Sequence, residues 1–139
     1  VPDTTTQAAR LTGDCQKCGS PSEGWAAQYI EDDRLRWAVD WTCRCGLASC
    51  DGGRGPAPGW IRGELLAQHG PARLELADKD ARGGGVLKVF RDALGLSVRE
   101  AHAAATELRQ GGYVATGVEV HLLADLLRQA GIATAVRTK

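Results

Sequence analysis

The sequence predicts an α+β chain in two parts: a β-hairpin module organised by cysteines, then a compact strand–helix–helix–strand–helix–strand domain. Three observations predict it. All five cysteines fall between Cys15 and Cys50, although the chain has 139 residues. Apolar and polar residues alternate over Leu35–Thr42, the period of a half-buried strand. From Ala72 onward, segments of strand and helix periodicity are separated by glycines at 83–85, 111–112 and 131.

The elements follow in order. Residues 1–14 are polar and Thr-rich and read as a flexible segment. Residues 15–58 form the cysteine module. Within it, Gly24–Thr42 carries Trp25, Tyr29, Ile30, Leu35, Trp37, Val39 and Trp41 around Glu31-Asp32-Asp33, which predicts a hairpin with its turn at the acidic run. The stretch 52–59 holds four glycines and two prolines, excludes helix and central strand, and marks the boundary. Residues 59–71 read as a linking helix with Trp60, Ile61, Leu65 and Leu66 on one face.

Residues 72–139 form the second domain. Leu74 and Leu76 alternate with charged residues in a strand, and Val86, Leu87, Val89, Phe90, Ala93 and Leu94 mark a helix. Ser97 and Glu100 form an S-x-x-E capping box that starts the next helix, with Val98, Ala101, Ala105 and Leu108 on its apolar face. Tyr113–Thr116 is a short extended piece. Leu122, Leu123, Leu126, Leu127 and Ala130 mark a third helix, and Ile132–Val136 a closing strand.

Composition narrows the function classes. Seventeen basic residues balance seventeen acidic ones, so no global field draws the chain to nucleic acid or to a charged membrane. No apolar run approaches the roughly 20 residues of a membrane span, and residues 1–14 lack the pattern of a secretory signal; a cytoplasmic location follows as the expectation. An odd number of tightly clustered cysteines fits a disulfide framework poorly and metal binding well.

Cys15-Gln-Lys-Cys18-Gly19 has the spacing of a metal knuckle, in which Gly admits the turn that aims backbone amides at sulfur. Cys43-Arg-Cys45-Gly46 is one residue shorter, and Cys50 follows. Either Cys15, Cys18, Cys43 and Cys45 ligate, which is favoured, or Cys50 substitutes for Cys43. The pattern resembles a zinc ribbon, and four thiolates imply a structural Zn²⁺ rather than a catalytic one, which needs an open position for water.

Val86-Leu87-Lys88-Val89-Phe90-Arg91-Asp92-Ala93-Leu94-Gly95-Leu96-Ser97-Val98-Arg99-Glu100-Ala101 resembles, without gaps, the helix–turn–helix core of the C-terminal domain of the bacterial ribosomal stalk protein. Gly117-Val118 and Ala130-Gly131 resemble later landmarks of that domain. The resemblance implies a partner-binding basic face at Lys88, Arg91 and Arg99, of the kind that touches translation GTPases. The stalk's dimerising helices and hinge have no counterpart. The same element order occurs in the Clp protease adaptor, whose acidic entry loop Leu76-Ala77-Asp78-Lys79-Asp80 loosely resembles; Leu108 or Arg109 stands where its pocket histidine is expected.

No enzyme is expected. His69, His102 and His121 lie in separate elements without a neighbouring nucleophile turn, and the glycines at 83–85 lack the Lys-Ser/Thr of a phosphate loop. The four tryptophans read as core rather than as a base-stacking surface. The expectation is a non-catalytic zinc-containing adaptor that acts through a protein partner. The alternatives are an immunity protein against a cognate toxin and, from another class, a nucleic-acid-binding zinc ribbon or a zinc-dependent enzyme.

Overall fold

The computed structural model describes residues 5–78 and 85–138. The expected glycine break at 83–84, Lys79-Asp80 of the acidic loop, and Val1 lie outside them. The chain is α+β: β1 (Thr6–Asp14), β2 (Pro21–Glu31), β3 (Arg34–Thr42), β4 (Ala48–Arg54), α1 (Gly59–His69), β5 (Ala72–Leu76), α2 (Gly85–Leu94), α3 (Val98–Gln110), β6 (Tyr113–Ala115), α4 (Gly117–Gln129) and β7 (Thr134–Thr138).

The first four strands form an antiparallel meander in the order β1-β2-β3-β4. Its centre is the expected hairpin. Asp32 and Asp33, at φ 53° and 58°, make the two-residue turn whose twist matches the flanking strands. Two strands extend the sheet beyond the expectation. Residues 6–14, read as flexible, are an edge strand because Ala9 and Leu11 point inward and are buried, while the backbone pairs with β2 throughout. β4 occupies the other edge, where its glycines are tolerated.

Helix α1 covers the inner face of this sheet. Ile61 and Leu65 pack on Ala9, Leu11, Ala26, Val39 and Ala57, with Trp37 and Trp41 against the same cluster. Trp25 and Trp60 depart from their expected core role; they stand 54% and 53% exposed. Trp25 lies on the odd-numbered side of β2, opposite the buried Ala26 and Gln28, and Trp60 on the solvent side of α1. The end of α1 closes the free edge of β1. Arg10 N–H donates to Gln68 Oε1 (2.9 Å), Gln68 Nε2 donates to Arg10 O (2.9 Å), and His69 Nε2 lies 2.7 Å from Ala8 O. The side chains act as one short strand, which blunts an edge otherwise open to pairing.

The second half has the expected order, β5-α2-α3-β6-α4-β7, with its sheet in the order β6-β5-β7 and β5 antiparallel to both neighbours. Phe90, Leu108, Leu122, Leu123 and Leu127 fill the core, with Phe90 edge-on to Tyr113 at 4.9 Å. The Ser97–Glu100 capping box starts α3, and Thr116 and Glu119 form a second one at the start of α4. Val98, expected on the buried face of α3, is 54% exposed. As the first helical residue it lies beyond the turn that the other α3 core residues present to the sheet.

The halves share a core. Leu35 of β3 is fully buried among the second-half residues, and Ile30 packs beside it. Next to them lies a buried polar cluster. Glu119 Oε2 accepts from Gln28 Nε2 (3.0 Å) and Arg62 Nε (2.7 Å), while its Oε1 accepts from Arg62 Nη2 (2.8 Å) and Thr116 N–H (3.1 Å). Thr116 Oγ1 donates to Gln28 Oε1 (2.6 Å) and accepts from Glu119 N–H (3.2 Å). Burial alone raises the Glu119 carboxyl, but the hydrogen bonds and charge of Arg62, with Gln28 and Thr116, outweigh it and hold the group below the usual carboxylate range.

Candidate metal centre

Two tight loops at the same end of the first sheet bring four cysteines together. In the β1–β2 loop, Gly19 N–H donates to Cys15 O and Cys15 N–H to Ser20 O, both at 2.8 Å. In the β3–β4 loop, Gly46 N–H donates to Cys43 O (3.0 Å) and Cys43 N–H to Leu47 O (2.9 Å). Gly19 and Gly46 both have positive φ, at 72° and 96°, which a residue with a Cβ adopts only under strain. The shorter Cys-x-Cys spacing therefore still makes a loop of the same kind, closed by a hydrogen bond one residue tighter.

The ligand atoms of Cys15, Cys18, Cys43 and Cys45 all lie within 4.8 Å of one another. Across the two loops, Cys15 Sγ and Cys45 Sγ are 3.7 Å apart, and Cys18 Sγ and Cys43 Sγ 3.5 Å. A tetrahedron with Zn–S bonds of about 2.3 Å has edges of about 3.8 Å. The donor set and its dimensions fit a four-thiolate metal ion. Cys50 is not part of the cluster; it sits exposed in β4 opposite Asp40, so it does not replace Cys43.

Electrostatics point the same way. The backbone amides of Cys18 and Lys17 lower the Cys15 thiol, and the Ser20 amide and hydroxyl, with Cys43, lower Cys18 to about 6. At Cys45 the Leu47 amide favours the thiolate, yet desolvation and the neighbouring sulfurs push the thiol up to about 12. Amides thus prepare some of the sulfurs as anions, while crowding opposes full ionisation of the cluster. A bound dication removes that opposition.

The cations expected to face a partner lie elsewhere. Lys88 and Arg91 line a groove of about 560 Å³ between α2 and α3, with Leu87, Asp92, Gly95, Leu96 and Val98. Lys88 Nζ pairs with Asp92 Oδ2 at 3.2 Å. Arg99 is exposed at the start of α3 but does not line the groove. Of the histidines, His69 caps the β1 edge, His102 is exposed and His121 is half-buried.

No protein-family model, curated protein or solved structure matches the chain. Among the described residues, no helix is long and apolar enough to cross a membrane.

The cluster Gln28–Arg62–Thr116–Glu119 was missed from the sequence. A signal existed for part of it: Thr116-Gly-Val-Glu119 is a T-x-x-E capping box directly before an apolar helix. Gln28 carries no local sign of its burial, and Arg62 none of its pairing with Glu119.

Proposed function

We propose that the chain is a non-catalytic adaptor in which Cys15, Cys18, Cys43 and Cys45 hold a structural Zn²⁺ and the α2–α3 surface binds a protein partner. Zinc is favoured over harder cations because all four donors are thiolates, and a four-sulfur tetrahedron leaves no position for a reacting water.

The observation that carries the binding role is the α2–α3 groove. Leu87, Leu96 and Val98 supply apolar walls, and Lys88 and Arg91 supply charge at their margin. An exposed valine beside cations suits an apolar anchor flanked by acidic residues. The resemblance of residues 86–101 to the stalk domain implies the same face and would add Arg99 to it.

Affinity capture with the zinc-loaded protein, washed at high salt and compared with the variant K88E/R91E/R99E, tests this reading. One stoichiometric protein retained by the parent and lost by the variant supports it. A captured translation GTPase favours the stalk-like version, and a toxin silenced in the complex favours the immunity version. Retention of nucleic acid alone, or equal retention by parent and variant, contradicts it.

A further inference from the structure

Among the described residues, nothing covers the outer face of the first sheet. α1 packs on the inner face, and every outward residue is accessible to solvent. A one-sided antiparallel sheet ordinarily turns polar residues to water. Here the register places Ala8, Ala27, Ala38 and Gly52 in one cross-strand row at the centre of the open face. On one side runs the row Arg10, Trp25, Asp40, Cys50, and on the other Thr6, Tyr29, Arg36, Arg54. The centre is thus small and apolar, with Trp25 on one side, Tyr29 on the other, and charged residues beside both. Its rim carries the ion pairs Arg10–Glu23 (2.6 Å) and Arg36–Glu31 (3.0 Å). Exposed aromatics and arginines inside a polar, charged rim have the pattern of a protein interface, and the small central row adds room for a second sheet to approach.

We propose that this face is the interface of a symmetric homodimer, two copies packing sheet on sheet about a two-fold axis that runs along the Ala8–Ala27–Ala38–Gly52 row. Such an axis lays each strand antiparallel over its own copy and exchanges the two flanking rows. Trp25 then meets the partner's Tyr29, and Asp40 meets the partner's Arg36. The small central row lets the sheets approach, and Glu23 and Glu31, which also face each other, each keep an arginine of their own chain. Four strands about 4.8 Å apart and nine residues long at about 3.4 Å give a footprint of roughly 600 Å² per copy, in the range of a standard-size interface. Single-stranded nucleic acid fits this face less well. Six Lys and Arg stand against seven Asp and Glu between residues 5 and 58, and the four thiolates add negative charge.

Light scattering coupled to size exclusion on the zinc-loaded full chain, at concentrations up to about 100 μM, tests the proposal. The expected mass is twice the 14.7 kDa of the chain. Ala27→Arg should give the monomer with unchanged circular dichroism and zinc content. Asp40→Arg alone should weaken association at least about tenfold, and adding Arg36→Asp should recover part of the loss, because Asp40 and Arg36 meet only between copies while Arg36 also pairs with Glu31 of its own chain. A monomer at the highest concentration overturns the proposal. So does a dimer that Ala27→Arg leaves intact, since it must form through another surface.

Discussion

Gln28 Nε2 donates to Glu119 Oε2 at 3.0 Å across 91 residues of sequence, and both side chains are buried. With Arg62 it ties the sheet that holds the cysteines to the start of α4. Leu35 crosses the same boundary. The cysteine module and the α/β half are therefore coupled, and damage to one is expected to reach the other.

Arg62→Met should destabilise the whole chain by about 3–5 kcal/mol, because it leaves Glu119 charged and buried with only Gln28 and backbone to answer it. Leu35→Ala should cost about 2–5 kcal/mol and lower the melting of the second half, although the residue belongs to β3. Denaturant unfolding read by circular dichroism measures both. Unfolding of the first half alone in either variant contradicts the coupling.

Acid provides an independent handle on the same cluster. The Glu119 carboxyl is held below its ordinary range, so its contribution is present at neutral pH and is lost as pH falls through the folded-state value. The parent should lose stability below about pH 4 more steeply than Glu119→Gln, which has no carboxyl there to titrate. Urea midpoints for both proteins between neutral and acid pH would show it. Parallel curves contradict the assignment.

Cap removal should distinguish the two helix starts. Ser97→Ala removes an exposed capping box and should cost about 1 kcal/mol. Thr116→Ala removes a cap and also the buried donor to Gln28 Oε1, so its cost should be larger, about 2–3 kcal/mol. Equal losses in thermal melts would place Thr116 outside the coupling cluster.

Metal content should separate the cysteines. Cys15→Ser, Cys18→Ser, Cys43→Ser and Cys45→Ser should each lower zinc affinity by orders of magnitude and destabilise the first sheet, whereas Cys50→Ser should leave one zinc per chain. Inductively coupled plasma mass spectrometry after dialysis against a weak chelator gives the stoichiometry. Loss of metal on Cys50→Ser contradicts the ligand set.

What was legible in the sequence had local causes. Cysteine spacing, glycine punctuation and the Ser97–Glu100 pair each act over a few residues, and the second half followed its expected order. β1 and β4 were missed for the opposite reason. Ala-Ala-Arg-Leu and Ser-Cys-Asp-Gly-Gly have weak intrinsic strand preference and become strands through pairing with β2 and β3. The aromatic run of the hairpin suggested a core for all four tryptophans, but alternation sends Trp25 to the other face. Glu119 reads as a helix-surface charge until Arg62 and Gln28 arrive from distant segments.

Cys15, Cys18, Cys43 and Cys45 are proposed to hold zinc through four sulfurs. Zinc K-edge X-ray absorption on the zinc-loaded protein tests this most directly, because the first shell reports ligand type, number and distance. The structure predicts four sulfurs at about 2.3 Å and no nitrogen or oxygen. A shell with two or three sulfurs completed by oxygen or nitrogen would contradict it and open the site to water.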